Sequence, residues 1–170
     1  DLNPAGSRGQ HLGMGAAAVW KNDIEIDMEK FGASPTNTAA QNDAALVLAR
    51  AHLITRTTRT VRGVLRFSEG IYDFGAAWPE IVESGLTVKG NGQYTTFLRF
   101  SSLSSNQITV SAAYVKFENL GINSLGTRTG GYGVYCTASA NRSFIMRDVA
   151  FDSAYSSVYI GGGTNSIFLL

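Results

Sequence analysis

The sequence predicts an all-β fold, a right-handed single-stranded parallel β-helix with an amino-terminal capping α-helix, cut off at its C-terminal end. Three observations predict it. The first is a repeat: YVKFENLGINS (114–124) and SFIMRDVAFDS (143–153) stand 29 positions apart and agree in character. Val115 falls on Phe144, Phe117 on Met146, Leu120 on Val149 and Ile122 on Phe151, while LTVKGNG sets Leu86 and Val88 in the first two columns one period earlier. The second is a looser series, Ile108 to Val110, Val134 to Cys136 and Val158 to Ile160, spaced 26 and 24 positions apart. Two strand tracks sharing roughly one period describe a chain winding about an axis. The third is a turn column, Gly90, Asn119 and Asp148, holding the three residue types that best tolerate a left-handed backbone. A tight corner with positive φ is expected there in every coil. A two-sheet sandwich is the alternative, and it would call for hairpin links between neighbouring strands.

The elements follow in order. Residues 1–22 carry Gly6, Gly9, Gly13 and Gly15 and end in the apolar Val19 and Trp20 without a sustained period, which predicts an extended arm. The β-helix domain is placed at 23–170. From Asp23, acids alternate with Ile24, Ile26 and Met28 through Glu29, a period of two that reads as a half-buried strand with a solvated acidic face. Thr38 with Gln41 three residues on fits a capping box and opens a helix over about 38–53, with Ala44, Leu48 and Ala51 or His52 on one side. Arg50, Arg56, Arg59, Arg62 and Arg66 surround the segment that follows; they read as an anion or acidic-sugar patch or as a solvated connection. Strands at Val64 to Phe67 and Ile71 to Phe74 flank a break at Ser68-Glu69-Gly70. In the first, irregular coil Asn91 takes the column of Leu120 and Val149. The sequence closes on SIFLL, the expected start of a further strand, so the chain is read as the amino-terminal piece of a longer protein.

Composition narrows the partners. A formal charge of +1 gives no field favouring nucleic acid or an anionic membrane, and no apolar run approaches the length of a membrane span. Cys136 is the sole cysteine, excluding an internal disulfide and any cysteine metal cluster, and it reads as a small core hydrophobe. No cofactor and no metal are called for.

The stretch IDMEKFGASPTNTAAQNDAALVLARA, then GVLRFSEGIYDF and LTVKGNGQYTTFLRF, resembles the amino-terminal module of pectate-lyase-like β-helix proteins found in bacteriophage tailspikes and related polysaccharide-degrading enzymes. The likeness covers about residues 24–100. This chain departs from the pattern with Asn37 in place of an acid, Gln41 in place of an aliphatic residue, and Ser68-Glu69 in place of a proline pair. The resemblance implies a homotrimer, attachment to other phage tail or baseplate proteins through residues 1–22, and host surface polysaccharide as the ligand of the full-length protein. It implies location in the virion, with a secreted or cellular carbohydrate lyase or hydrolase of the same fold as the alternative.

Cleaving a glycosidic bond by hydrolysis needs two carboxyls about 5–9.5 Å apart. Asp148 and Asp152 flank one bend and are the leading catalytic candidates, with Glu118 and the early-loop acids Glu69, Asp73, Glu80 and Glu83 behind them. Arg147 beside Asp148 is the hint of lyase chemistry. Trp78 and Tyr94 are the candidates for stacking on sugar rings, against core packing as the plainer reading.

Overall fold

A computed structural model describes residues 24–56, 63–137, 144–152, 157–161 and 167–169. The arm assigned to 1–22, the acid Asp23 and the arginines Arg59 and Arg62 lie outside the described residues. The elements run β1 (Ile24–Asp27), a 3-10 turn (Met28–Phe31), α1 (Ala39–Arg56), β2 (Gly63–Arg66), β3 (Gly70–Phe74), β4 (Thr87–Lys89), β5 (Thr96–Phe100), β6 (Ile108–Val110), β7 (Lys116–Ser124), β8 (Val134–Cys136), β9 (Phe144–Phe151), β10 (Val158–Ile160) and β11 (Ile167–Leu169).

Every strand pairing among the described residues is parallel. The chain makes about three turns of a solenoid and visits three tracks in each. One track is β1, β2, β4, the first part of β7, the first part of β9, and β11. Another is β3, β5, the second part of β7 and the second part of β9. The third is β6, β8 and β10, which form a separate sheet. The 29-residue period is a physical rung: Lys89 faces Glu118, and Glu118 faces Arg147. Phe117 faces Met146, Leu120 faces Val149, and Ile122 faces Phe151.

Inward side chains stack into columns. Ile26, Leu65, Val88, Phe117 and Met146 form one, each buried on its rung. Tyr72, Leu98 and Ile122 form a second, and Val110 and Cys136 lie in a third. Burial stabilises each large side chain by about 1.5–3 kcal/mol, so a five-member column contributes substantially to holding the rungs in register. Burial also pushes the Cys136 thiol from 9.0 up to about 12, which keeps it protonated and inert. The column of Phe74 and Phe100 ends in a buried Ser124, whose hydroxyl accepts a 2.6 Å hydrogen bond from the Gln107 amide. Without that partner the hydroxyl would be costly to bury.

The corners differ from expectation in one respect. Gly90, Asn119 and Asp148 occupy neighbouring rungs, and the Gly90 N–H donates to Glu118 O at 2.9 Å. Asn119 and Asp148 have φ of 54° and 51°, while Gly90 is not in the left-handed region. Its glycine answers to space: a Cβ there would lie 2.4 Å from the Asn119 carbonyl oxygen and 2.8 Å from the Thr96 side chain. Asn91 likewise does not fill the column of Leu120. Residues 91–95 loop outward, and the buried Thr96 takes that place, accepting from the Asn91 N–H at 3.0 Å and donating to Ser68 O at 2.9 Å. Replacing Asn119 by valine is expected to cost about 1–2 kcal/mol, since a branched side chain is poorly tolerated at that φ. Asn119→Gly should stay within about 0.5 kcal/mol of the native chain because glycine reaches that twist freely. Urea unfolding midpoints of the two variants check this, and equal losses would contradict it.

The amino-terminal segment is built by short polar contacts. The predicted strand stops at Asp27, whose carboxylate accepts the Glu29 N–H at 3.1 Å and starts the 3-10 turn that draws Met28 into the core. The Gln41 side chain reaches back to the Thr38 N–H at 2.9 Å, one half of a capping box. Asn42 is the hub: it accepts from the Ser34 N–H at 2.9 Å and donates to Ser34 O and, at 3.0 Å, to Asp73 O of β3. Asn37, standing where an acid was expected, donates to Gly32 O at 2.7 Å. An acid could not supply that donor. Asp43 accepts the Gly75 N–H at 3.1 Å, and desolvation raises its pKa against the opposing pull of that bond. At the break after β2, Ser68 donates to Glu29 and shares a 2.8 Å hydrogen bond with Tyr72, filling the role a rigid proline pair would have had.

The helix buries a side that its sequence did not single out. Asn42, Ala45, Leu46, Ala49, Arg50 and Leu53 face inward, against β3 and the 3-10 turn. Ala44, Leu48 and Ala51 do share a side, and it is the outer one, with Leu48 59% exposed. Aliphatic residues lie on the outer side, as Val47, Leu48 and Ile54, as well as the inner one, where Asn42 and Arg50 are buried too, so periodicity alone does not say which stripe the solenoid covers.

Candidate functional site

The outward residues of a solenoid form long rows one rung apart, and these rows are where a ligand would meet the molecule. On the first track the outer row is Asp27, Arg66, Lys89, Glu118 and Arg147, with charges of both signs in sequence. Such a row offers cross-strand complementarity and no single-sign track. Arg66 reaches Glu25 at 3.3 Å, an exposed pair worth at most about 1 kcal/mol. Asp73 grips Arg99 through two contacts of 2.5 and 2.8 Å, and that hydrogen bonding raises the Arg99 pKa.

Of the arginine cluster, the side chains of Arg50 and Arg66 are among those described, and each has an acidic partner. Arg50 points inward, where Nη2 lies 2.7 Å from Glu83 Oε2 and the guanidinium also donates to Pro79 O at 2.8 Å and Glu80 O at 2.7 Å. Together with Val47, Ala51, Ile54 and Pro79 this pair lines a groove of about 250 Å³ beside α1. Its charges satisfy each other.

The candidate acids occupy different settings. Asp148 sits on a corner and Asp152 just past the end of β9, both exposed, and Asp152 uses its N–H to bond Ile122 O at 3.1 Å. Glu118 stays in the mixed-charge row, Asp73 and Glu83 are held by arginines, and Glu69 and Glu80 stand exposed in loops. No cluster of three metal-ligating side chains occurs among the described residues.

Of the two aromatic candidates, Trp78 is a core residue. It is 4% exposed and packs with Phe67, Phe74 and Phe100 at centroid distances of 5.2 to 6.2 Å. The segment carrying it is drawn under the coil by a hydrogen bond from the Trp78 N–H to Gln107 O at 2.8 Å. Tyr94 stands on the outward loop and is 74% exposed, free to meet a ligand.

The densest exposed aromatic group lies elsewhere, on the third track. Tyr135 of β8 and Tyr159 of β10 occupy one outward column, with ring centroids 5.0 Å apart and planes 7° from parallel. Tyr132 packs against both, at 5.9 and 5.0 Å. Its loop is pinned: the Arg128 guanidinium donates to Ser105 O at 2.7 Å and Gly130 O at 2.9 Å, the Tyr132 N–H donates to Asn106 at 3.1 Å, and Tyr132 O accepts the Gln107 N–H at 3.0 Å. Burial without an acidic partner lowers the Arg128 pKa. The sequence carried a signal for this group, because V-Y-C (134–136) and V-Y-I (158–160) repeat the tyrosine at the outward position of one track.

No protein-family model, curated protein or solved structure matches the chain.

Proposed function

We propose that the chain is part of a bacteriophage tailspike, a homotrimeric virion component that adsorbs to host surface polysaccharide. In this reading the solenoid winds right-handed, α1 caps its amino-terminal end, and the residues ahead of β1 attach to other tail or baseplate proteins. One observation carries the proposal: a parallel solenoid whose outward positions recur at rung spacing, a surface suited to a ligand that is itself a repeating chain. Two features support it. Val47, Leu48 and Ile54 of α1 and Val82 beside them are between 50% and 62% exposed, an apolar face of the kind that meets neighbouring subunits. The buried side of α1 lies ahead of the first full coil, and Leu53 packs against Gly63 at the start of β2, where an open solenoid would otherwise present an apolar cross-section. Binding is the role proposed for these residues.

Sedimentation of the chain together with a cell-adsorption assay tests the proposal. A trimer that is retained by encapsulated bacterial cells and released when the capsule is stripped is the expected result. A monomer that ignores both kinds of cell overturns it, and a monomer that shortens the polysaccharide would identify a secreted carbohydrate-cleaving enzyme instead.

A further inference from the structure

We infer that Tyr132, Tyr135 and Tyr159 form a stacking platform for uncharged pyranose rings of a polysaccharide chain. The inference rests on the adsorption reading in taking a glycan as the ligand; the site and the kind of glycan come from the third track itself.

The first argument is chemical. Between Ser101 and Val115, and between Leu125 and Thr137, the sequence has one charged side chain, Arg128, and that one is buried. The residues exposed there are serine, threonine, leucine and tyrosine, with Asn106 half-buried beside them. With no accessible cation among the described residues of these two segments, a surface of hydroxyls, an amide and phenol rings offers phosphates or uronates no neutralising charge, which disfavours nucleic acid and acidic glycans. It suits a neutral sugar, whose C–H face packs on an aromatic ring while its hydroxyls meet polar neighbours.

The second argument is that the platform is built before any ligand arrives. Tyr135 and Tyr159 are fixed by the parallel register of β8 and β10, and Thr109 takes the same column on β6. Tyr132 is fixed through its own N–H and carbonyl and by the Arg128 staple described above. Rings held in place lose little freedom on binding, so contact area converts into affinity. The stack also leaves surface open, since Tyr159 remains 39% exposed and Tyr132 and Tyr135 are half-buried. Fold stability alone makes no demand for aromatic rings here: the outward position of the same column is satisfied by threonine one rung earlier.

Because Thr109 shows that threonine fits this column, Tyr135→Thr and Tyr159→Thr are the variants of choice, with Tyr159→Phe to keep the ring and remove the hydroxyl. The full chain is applied to an array of bacterial surface glycans holding neutral and uronate-bearing members, at low and high salt. Native chain should bind neutral members with little change between salts, each threonine variant should bind at least about tenfold more weakly, and Tyr159→Phe should stay within about threefold. Unchanged circular dichroism and melting in the threonine variants confirm that the loss is local. The platform is overturned by binding to uronate members alone, by no binding to any neutral member, or by threonine variants that bind like the native chain. That last outcome would leave the adsorption reading standing. Tyrosine-dependent binding to the array without adsorption to cells would keep the platform and remove the adsorption reading.

Discussion

Replacing Glu83 by alanine is expected to lower stability by about 3–5 kcal/mol, the usual effect of removing one partner from a buried ion pair. Arg50 and Glu83 have side chains only 9% and 7% exposed, and the guanidinium reaches the carboxylate through both Nε and Nη2. Pro79 O and Glu80 O take further donors, so the contact joins α1 to the loop ahead of β4 across 33 positions of sequence. Without the carboxylate, a full positive charge remains in a site that water scarcely reaches, with neutral carbonyls as its only partners there. The variant Arg50→Met combined with Glu83→Leu should recover most of the loss, because burying two apolar chains of similar size costs far less than burying one unpaired charge. Urea unfolding of the single and double variants measures the difference. A Glu83→Ala variant within about 1 kcal/mol of the native chain would show that the pair is effectively solvated and does not tether the helix.

Phe117→Ala should be as damaging, about 3–5 kcal/mol, for a different reason. Phe117 is fully buried in the central column, between Val88 on the rung before and Met146 on the rung after, and its ring lies 5.9 Å from that of Phe144. Truncation removes the transfer energy of the ring and leaves a void that rungs tied by parallel hydrogen bonds cannot close. In a solenoid each coil contacts only its neighbours, so a hole at the middle coil weakens both of its interfaces. Phe117→Leu should lose markedly less, since much of the volume stays filled. Equal midpoints for the alanine and leucine variants would mean that the column is loosely packed and is not what holds the rungs together.

The winding was legible in the sequence because its signal is dense. Most inward positions are apolar on each rung, so Val115, Phe117, Leu120 and Ile122 reappear in character 29 positions later and align by sequence alone. The corner was half legible: Asn119 and Asp148 are chosen for backbone twist, but Gly90 is chosen for the approach of Asn119 O, a contact between rungs that no local rule contains. The helix showed its start, through Thr38 and Gln41, more clearly than its buried side, because apolar residues occur on both sides and polar Asn42 and Arg50 are among those buried.

The site was less legible. For Trp78 core packing was the plainer reading, but the sequence did not show its partners, three phenylalanines from neighbouring segments that enclose it. Arg50 looked like one of a surface cluster because its partner lies 33 positions away. Pairings over such distances depend on how coils stack, which the one-dimensional pattern constrains only along the columns. Tyr135 and Tyr159 were within reach, as the repeated middle letter of V-Y-C and V-Y-I, but the contribution of Tyr132 depends on a loop shape set by Arg128.

The parallel stacking of successive rungs is the claim on which the core, the corners and the proposed platform all depend, and paired cysteines test it most directly. With Cys136→Ser as background, Thr87→Cys with Lys116→Cys and Lys89→Cys with Glu118→Cys should both oxidise readily to disulfides, since each pair faces across one parallel rung. Thr87→Cys with Glu118→Cys and Lys89→Cys with Lys116→Cys should not. Cross-linking of the second two pairs in preference to the first would mean that neighbouring strands run in opposite directions, and the solenoid would be contradicted.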